Sequence, residues 1–381
     1  MKQTPFVYGR IADINNFTDR ENESRVLYQN FTSLVNTILI SPRRWGKTSL
    51  VNSVAKEIMK DNKKVKVCLM DIFNVRNENE FYVQLAQCVL KTTSSKWEEF
   101  TENAKQFLSH LLPKVTFSPD SQAEISFGIG WEELQKNPDD ILNLAETIAK
   151  KKNIKIIICI DEFQSISDFE NPEAFQRKLR SHWQTHQQVS YCLYGSKRHM
   201  LMDIFSNNSM PFYKFGDIMF LEKINNKIWG EFIEKRFDET KKKITTDDAE
   251  YLAGLVENHP YYVQQLAQQS WLRTAKICSK KIIDESCEGI KSQLSLLFVS
   301  LIESLTTSQI NLLHAIVENE TVFGSQENLK KYKLKTTANV ARAKESLLSK
   351  EIIDITLQKV EIQDPFFKIW LKTDYFKIIR R

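Results

Sequence analysis

Glycine is scarce, ten residues among 381, and no low-complexity tract or internal repeat interrupts the chain. That excludes an array of stacked repeat units. No run approaches the roughly 18 consecutive apolar residues of a membrane-spanning helix. The opening, MKQTPFVYGRIADINNFTDREN, has no apolar core of the kind a secretory leader carries. The six cysteines, Cys68, Cys88, Cys159, Cys192, Cys278 and Cys287, include no pair at metal-ligand spacing. Cys68, Cys159 and Cys192 lie in apolar runs and read as small buried hydrophobes. These absences lead to the expectation of a reducing compartment, bacterial or archaeal cytoplasm, with no membrane partner.

What is present is an ordinary soluble balance, 42% hydrophobic and 27% charged, in a length that suits two or three domains. The net charge of +5 is unevenly placed. From Thr306 to Arg381 there are 13 basic against 9 acidic residues, a net +4, which leaves +1 for the rest. A weakly basic C-terminal module is compatible with nucleic-acid contact and equally with a solvated lysine-rich surface.

Five short apolar runs read as buried parallel strands: Thr37–Ser41, Val65–Phe73, Ile154–Asp161, Val189–Ser196 and Asp217–Ile224. Helical patterns alternate with them, which predicts an α/β sheet covered on both faces. Pro113–Trp131 breaks that rhythm and reads as a β-hairpin insertion. After Ile224 the pattern is helical to about Leu301. Three short helical stretches then precede IIDITLQKVEIQDPFF, a hairpin with Gln358–Lys359 near its turn, the order of a winged helix-turn-helix. The expected division is a core over 1–222 with the insertion near 113–131, a helical lid over 223–301 and a winged helix over 302–381.

Chemistry concentrates in SPRRWGKTS, residues 41–49. A strand (TILI) runs into it and a helix (TSLVNSVAKEI) leaves it, as a phosphate-binding loop requires, because loop N–H groups and the helix dipole then face the phosphates. Gly46 lets the backbone approach a phosphate, Lys47 can reach the β- and γ-phosphates, and Thr48 can ligate Mg²⁺. Ser41 stands where the usual pattern has glycine. Pro42, Arg43, Arg44, Trp45 and Ser49 complete the candidate loop. The tripeptide Gly-Lys-Thr alone is a common coincidence, so the second element matters. It is IIICIDEFQ, a buried strand ending in Asp161 and Glu162, 114 residues beyond Lys47. Asp161 suits the metal and Glu162 the attacking water. An acidic pair at a strand end also serves as a helix cap. With the loop upstream it favours a hydrolysing ATPase, and no Asn-Lys-x-Asp guanine motif occurs.

Ser196, just after the fourth strand, is placed to touch the γ-phosphate or the water. Lys197, Arg198 or Arg180 is a candidate cation to act on a neighbouring copy's site; for each, a plain surface role is the alternative.

Together these pieces resemble the archaeal-type ATPase family, a branch of the STAND/AAA+ P-loop ATPases. NFTDREN (Asn16–Asn22) looks like its N-terminal motif, ILISPRRWGKTSL like its Walker A form, ICIDEFQSI like its Walker B, GSKRHM like its sensor region, ENHPYYVQQLAQQSW like its lid motif and QDPFFKIWL like its closing Asp-Pro segment. Asn258 stands where the lid motif often has glycine. The resemblance implies a P-loop NTPase fold with a five-stranded core, a helical lid, a winged helix, and ATP and Mg²⁺ as ligands. It implies that Phe17 and Arg20 lie beside the adenine, with Pro260 approaching from the other side; Pro260 is equally a helix start. The expected activity is Mg²⁺-dependent ATP hydrolysis in a switch or small motor, with ADP as product and a nucleotide-dependent homo-oligomer as one form. The partner is double-stranded DNA, through Lys335, Arg342, Lys344 and Lys350 on and beside the third helix of the winged domain, or a protein. The rival is an interaction module that holds nucleotide with slow or no turnover.

Overall fold

The computed structural model describes residues 4–9, 20–94, 138–356 and 359–378. The expected hairpin at Pro113–Trp131 and the candidate adenine neighbour Phe17 lie outside these residues. The chain divides into two compact units at Leu221 and Glu222, and residues 4–9 group with the second.

The first unit alternates strand and helix as the apolar runs predict. Its elements are α1 (Glu21–Thr32), β1 (Thr37–Ile40), α2 (Lys47–Asp61), β2 (Val65–Asp71), α3 (Glu78–Thr93), α4 (Pro138–Leu142), α5 (Leu144–Lys152), β3 (Lys155–Asp161), a 3₁₀ turn (Phe163–Asp168), α6 (Pro172–Trp183), β4 (Val189–Gly195), α7 (Arg198–Ser206) and β5 (Asp217–Phe220). Each strand is one to four residues shorter than its apolar run. The five form one sheet, every pairing parallel, in the order β2-β3-β4-β1-β5. Every residue of β1 and β4 is buried, which is why these strands are mostly apolar, with only small hydroxyl residues such as Thr37 and Ser190 among them, rather than alternating. Ile156, Ile158 and Ile160 of β3 pack with Leu85 and Val89 of α3 and Leu179 of α6 in a single core.

Strand order is the feature that places the site. β4 lies between β1 and β3, with Ile40 level with Gly195 and Ile160 level with Leu193. The loops after β1, β3 and β4 therefore emerge side by side at the C-terminal edge, where open α/β sheets hold ligands. An aromatic cluster braces that edge: Phe163 packs on Phe205 (centroids 5.8 Å apart) and Phe212 (5.5 Å), and Trp183 stacks on Tyr191 at 4.0 Å.

The second unit is helical and then mixed: α8 (Asn226–Glu239), α9 (Thr246–Leu255), α10 (Pro260–Arg273), α11 (Lys280–Glu303), α12 (Thr307–Val317), α13 (Gln326–Lys331), α14 (Thr337–Ser349), β6 (Ile353–Thr356), β7 (Lys359–Ile362) and α15 (Pro365–Trp370). The helix starts are written in the sequence. Thr306 caps α12 in a reciprocal box with Gln309, and Ser325 and Thr336 cap α13 and α14. β6 and β7 pair antiparallel, Ile353 opposite Ile362, and complete the winged helix.

Of residues 4–9, which group with this unit, Phe6 enters its core. The Phe6 ring is 2% exposed and lies 5.7 Å from Phe237, the Val7 N–H donates to Gln264 Oε1, and Tyr8 meets Tyr261 edge-on. Burial of Phe6 is the physical reason for the grouping.

Within the same unit the lid motif and the Asp-Pro segment touch. Tyr262 Oη donates to Asp364 Oδ2, and Lys368 Nζ lies 2.5 Å from Glu257 Oε1. Asn258 has φ +59°, which explains why glycine suits its position and why asparagine, a residue that tolerates left-handed backbone, replaces it.

Candidate functional site

The loop after β1 is shaped by two left-handed residues, Arg44 at φ +64° and Gly46 at φ +91°. Ser41, where a glycine is usual, is not among the positive-φ residues of the chain and is 1% exposed. That position needs a small side chain rather than glycine's conformational freedom, so serine fits. Pro42 and Trp45 are half-buried, Arg43 and Arg44 exposed, Ser49 buried. Gly46 caps α2, whose first residue is Lys47. The loop therefore runs directly into the N-terminus of a 15-residue helix, the arrangement suited to holding phosphate oxygens.

Lys47 is 6% exposed and folds over its own loop. Its Nζ donates to Pro42 O at 2.8 Å, Ser41 O at 3.0 Å and Ser41 Oγ at 3.3 Å. One residue on, Thr48 Oγ1 donates to Asp161 Oδ2 at 2.7 Å. Residues 113 apart in the chain are joined because β4 sets the spacing between β1 and β3. A hydroxyl and a carboxylate oxygen at the phosphate-facing end of α2 are hard donors, the set Mg²⁺ takes alongside phosphate and water. The residues present therefore fit both the phosphates and the metal.

Asp161 ends β3, and its other oxygen accepts the Glu162 N–H at 2.8 Å. Burial pushes its carboxyl up to about 6. The Thr48 hydroxyl pulls against this, and the charge of Glu162 adds to it.

Glu162 leaves the strand in left-handed backbone, φ +54°. The cost of that conformation in a non-glycine residue is about 1–2 kcal/mol. It turns the side chain across the end of β4, where Oε2 accepts from Ser196 Oγ at 2.9 Å, from the Ser196 N–H at 3.4 Å and from Gln164 Nε2. The fold thus brings together Thr48 from the start of α2, Asp161 and Glu162 from the end of β3, and Ser196 from just after β4.

The remaining sequence candidates sit as follows. Arg20, 4% exposed, precedes α1 and pairs with Glu23 at 2.6 Å. Arg198 opens α7, its guanidinium 5.7 Å from the Phe220 ring centre. Arg180 has the plain structural role that stood beside its candidacy. Its guanidinium donates to Pro211 O and Tyr213 O, both at 2.8 Å, and lies over Phe215. Pinning that loop is structural work and does not suit a cation reaching into a neighbour's site. Pro260 is the first residue of α10, in the second unit. In the winged helix, Lys335 and Arg342 are exposed and Lys344 half-buried, while Lys350 Nζ donates to Ser304 O.

Two residues at the site escaped the sequence reading. Gln164 and Gly195 carry no motif chemistry. Their role depends on a contact between the 3₁₀ turn and β4 that no periodicity encodes.

Comparison with known proteins agrees with this architecture. Residues 296–373 match the model of a family described as "Probable winged helix domain". No curated protein matches the chain. Among solved structures, the chain is similar to a Walker-type ATPase of Pyrococcus abyssi, with TM-score 0.68 and 16% identity over 97% of this chain and 100% of that one. It is also similar to the Orc2 protein of Aeropyrum pernix in its ADPNP–ADP complexes, with TM-score 0.54 and 14% identity over 94% of each chain. Among the described residues no helix is long and apolar enough to cross a membrane. The chain shares the fold of these structures, a five-stranded parallel α/β core followed by helices and a C-terminal winged helix, the architecture its motifs implied.

Proposed function

We propose that this protein binds ATP with Mg²⁺ and hydrolyses it to ADP and phosphate. The observation that carries the reading is the meeting of Thr48, Asp161, Glu162 and Ser196 beside a phosphate-binding loop. The names of the similar structures, a Walker-type ATPase and an Orc2 protein with bound ADPNP and ADP, support it.

In this reading the N–H groups of residues 43–48 hold the phosphates, and Lys47 exchanges its loop carbonyls for phosphate oxygens. Thr48 and Asp161 would hold Mg²⁺, which would supply neutralising charge to the phosphates. Glu162 accepts a proton from water as the water oxygen bonds to the γ-phosphorus. The bond from that phosphorus to the bridging oxygen breaks, and ADP leaves. Ser196 orients the same water or a γ-phosphate oxygen. Arg198 is placed after Ser196 to stabilise charge at its own site or a neighbouring copy's.

Lys47→Ala is expected to weaken nucleotide binding about 10- to 150-fold, the worth of a charge-assisted hydrogen bond of about 1.5–3 kcal/mol. Titration with a fluorescent ATP analogue measures it. Unchanged affinity would remove the loop from the site.

The winged helix is the output in this account, contacting double-stranded DNA through Lys335, Arg342 and Lys344. The exposure of Arg342 on α14 supports that choice, whereas Lys350 is engaged by a backbone carbonyl. DNA affinity should then fall steeply with salt, and Arg342→Ala with Lys344→Ala should flatten the log–log slope by about 1 per lost phosphate contact. The absence of any gel shift at about 50 mM salt with ATP present would assign the winged helix to a protein partner.

A further inference from the structure

Gln164 is a polar side chain where an apolar one would cost less. It is 2% exposed, within the aromatic-braced edge of the α/β unit. Its Nε2 donates to Glu162 Oε2, but its Oε1 is buried with no hydrogen-bond partner. An unsatisfied buried amide oxygen is a standing cost that leucine or methionine would avoid. The backbone is also shaped around it. A Cβ at Gly195 would lie 1.9 Å from Gln164 Oε1, so β4 ends in a residue without a side chain where the amide sits. The amide orientation follows from the carboxylate: reversed, it would set oxygen against oxygen.

We infer that Gln164 is a positioning residue for the water-activating carboxylate, an inference that rests on the hydrolytic reading above. Glu162 Oε2 takes the Gln164 amide, the Ser196 hydroxyl and, at 3.4 Å, the Ser196 N–H. Among the described residues no hydrogen bond reaches Oε1, which is left as the oxygen that accepts the proton of water. The two side-chain donors differ in what else they can do. Ser196 is half-buried at a loop and can serve a phosphate only by releasing Glu162. Gln164 is enclosed and has only Glu162 to serve. It keeps the carboxylate aligned when the serine turns away. Groups that must be held within about 0.5 Å are commonly fixed in this way by a neighbour that never touches substrate.

The test uses the full chain with Gln164→Met, which keeps the volume and removes the donor, and Gly195→Ala, which pushes the amide from its slot. Binding of a fluorescent ATP analogue should stay within about twofold, and single-turnover hydrolysis should slow about 10- to 100-fold in both, the worth of one hydrogen bond to a charged group. The thermal midpoint of Gln164→Met should not fall, since the change removes an unsatisfied polar atom. In a Glu162→Gln background, Gln164→Met should slow hydrolysis no further, because the group it positions is already disabled. Three results would overturn the inference. A Gln164→Met enzyme at the wild-type rate, beside a Glu162→Gln enzyme that has collapsed, removes Gln164 alone. Multiplying losses in the double variant mean general damage instead of positioning. A wild type with no turnover removes both this inference and the hydrolytic reading beneath it.

Discussion

Replacing Glu162 by glutamine is expected to leave ATP binding intact and to slow the chemical step about 10²–10⁴-fold, the usual worth of a general base. The structure gives reasons to expect a clean result. The substitution keeps shape, and the side-chain oxygen of glutamine can still accept from Ser196 Oγ and Gln164 Nε2, so the contacts that hold residue 162 survive. The backbone at φ +54° is unchanged by the swap, since both residues bear the same strain. The neighbouring ring of Phe163 stays locked in its aromatic cluster. What is lost is the charge that draws the proton from water. The variant should therefore accumulate bound ATP, and any ATP-dependent assembly or DNA complex should last longer. Single-turnover hydrolysis of labelled ATP by wild type and variant, side by side, measures this. Equal rates would show that Glu162 is not the base. No turnover by either, with or without DNA, would make the interaction module with a structural nucleotide the better account.

The parts of this fold that were legible in the sequence are those whose cause is local. A strand buried on both faces is apolar at most positions, so β1, β3 and β4 show themselves as apolar runs rather than as alternating ones. The phosphate loop shows itself because Gly46 has to adopt φ +91°, and the winged helix because Thr306, Ser325 and Thr336 each cap a short helix before a two-stranded turn. What escaped was set by partners distant in the chain. Ser196 meets Glu162 across 34 residues, and only the insertion of β4 between β1 and β3 makes that meeting possible. The engagement of Arg180 is invisible in the sequence because its carbonyl acceptors, on Pro211 and Tyr213, lie about thirty residues further on and leave no charge pattern. Phe6 sits in a loop-like opening sequence, yet its ring fills the core of the second unit. Gln164 reads as a neutral residue after a strand, and its meaning lies in the glycine it displaces any side chain from.

Asp161→Asn should move stability and function in opposite directions. Burial raises the Asp161 carboxyl from its ordinary 3.8 to about 6. A raised carboxyl pKa means the protonated form is the one the fold prefers. Its stabilising share is present below about pH 4 and is lost as pH rises through about 6. At pH 7.5 the nucleotide-free wild type therefore carries an ionised group that the fold disfavours, by on the order of 1–3 kcal/mol. Asparagine is neutral at every pH and keeps both contacts. Its Oδ1 accepts the Glu162 N–H, and the Thr48 hydroxyl rotates to accept from Nδ2 in place of donating. Without nucleotide, the variant should melt a few degrees above wild type at pH 7.5, with the difference vanishing near pH 4. With saturating Mg²⁺ and ATP the order should reverse. A ligand at about 100 times its dissociation constant adds about 2.7 kcal/mol to the protein that binds it. Wild type should gain this and the variant little, because its amide no longer offers Mg²⁺ an anionic oxygen. Thermal melts of both proteins at the two pH values, each with and without Mg²⁺-ATP, give the crossing. A variant that melts below wild type without nucleotide and gains as much from Mg²⁺-ATP would show that Asp161 is a structural acceptor for Thr48 and does not hold the metal.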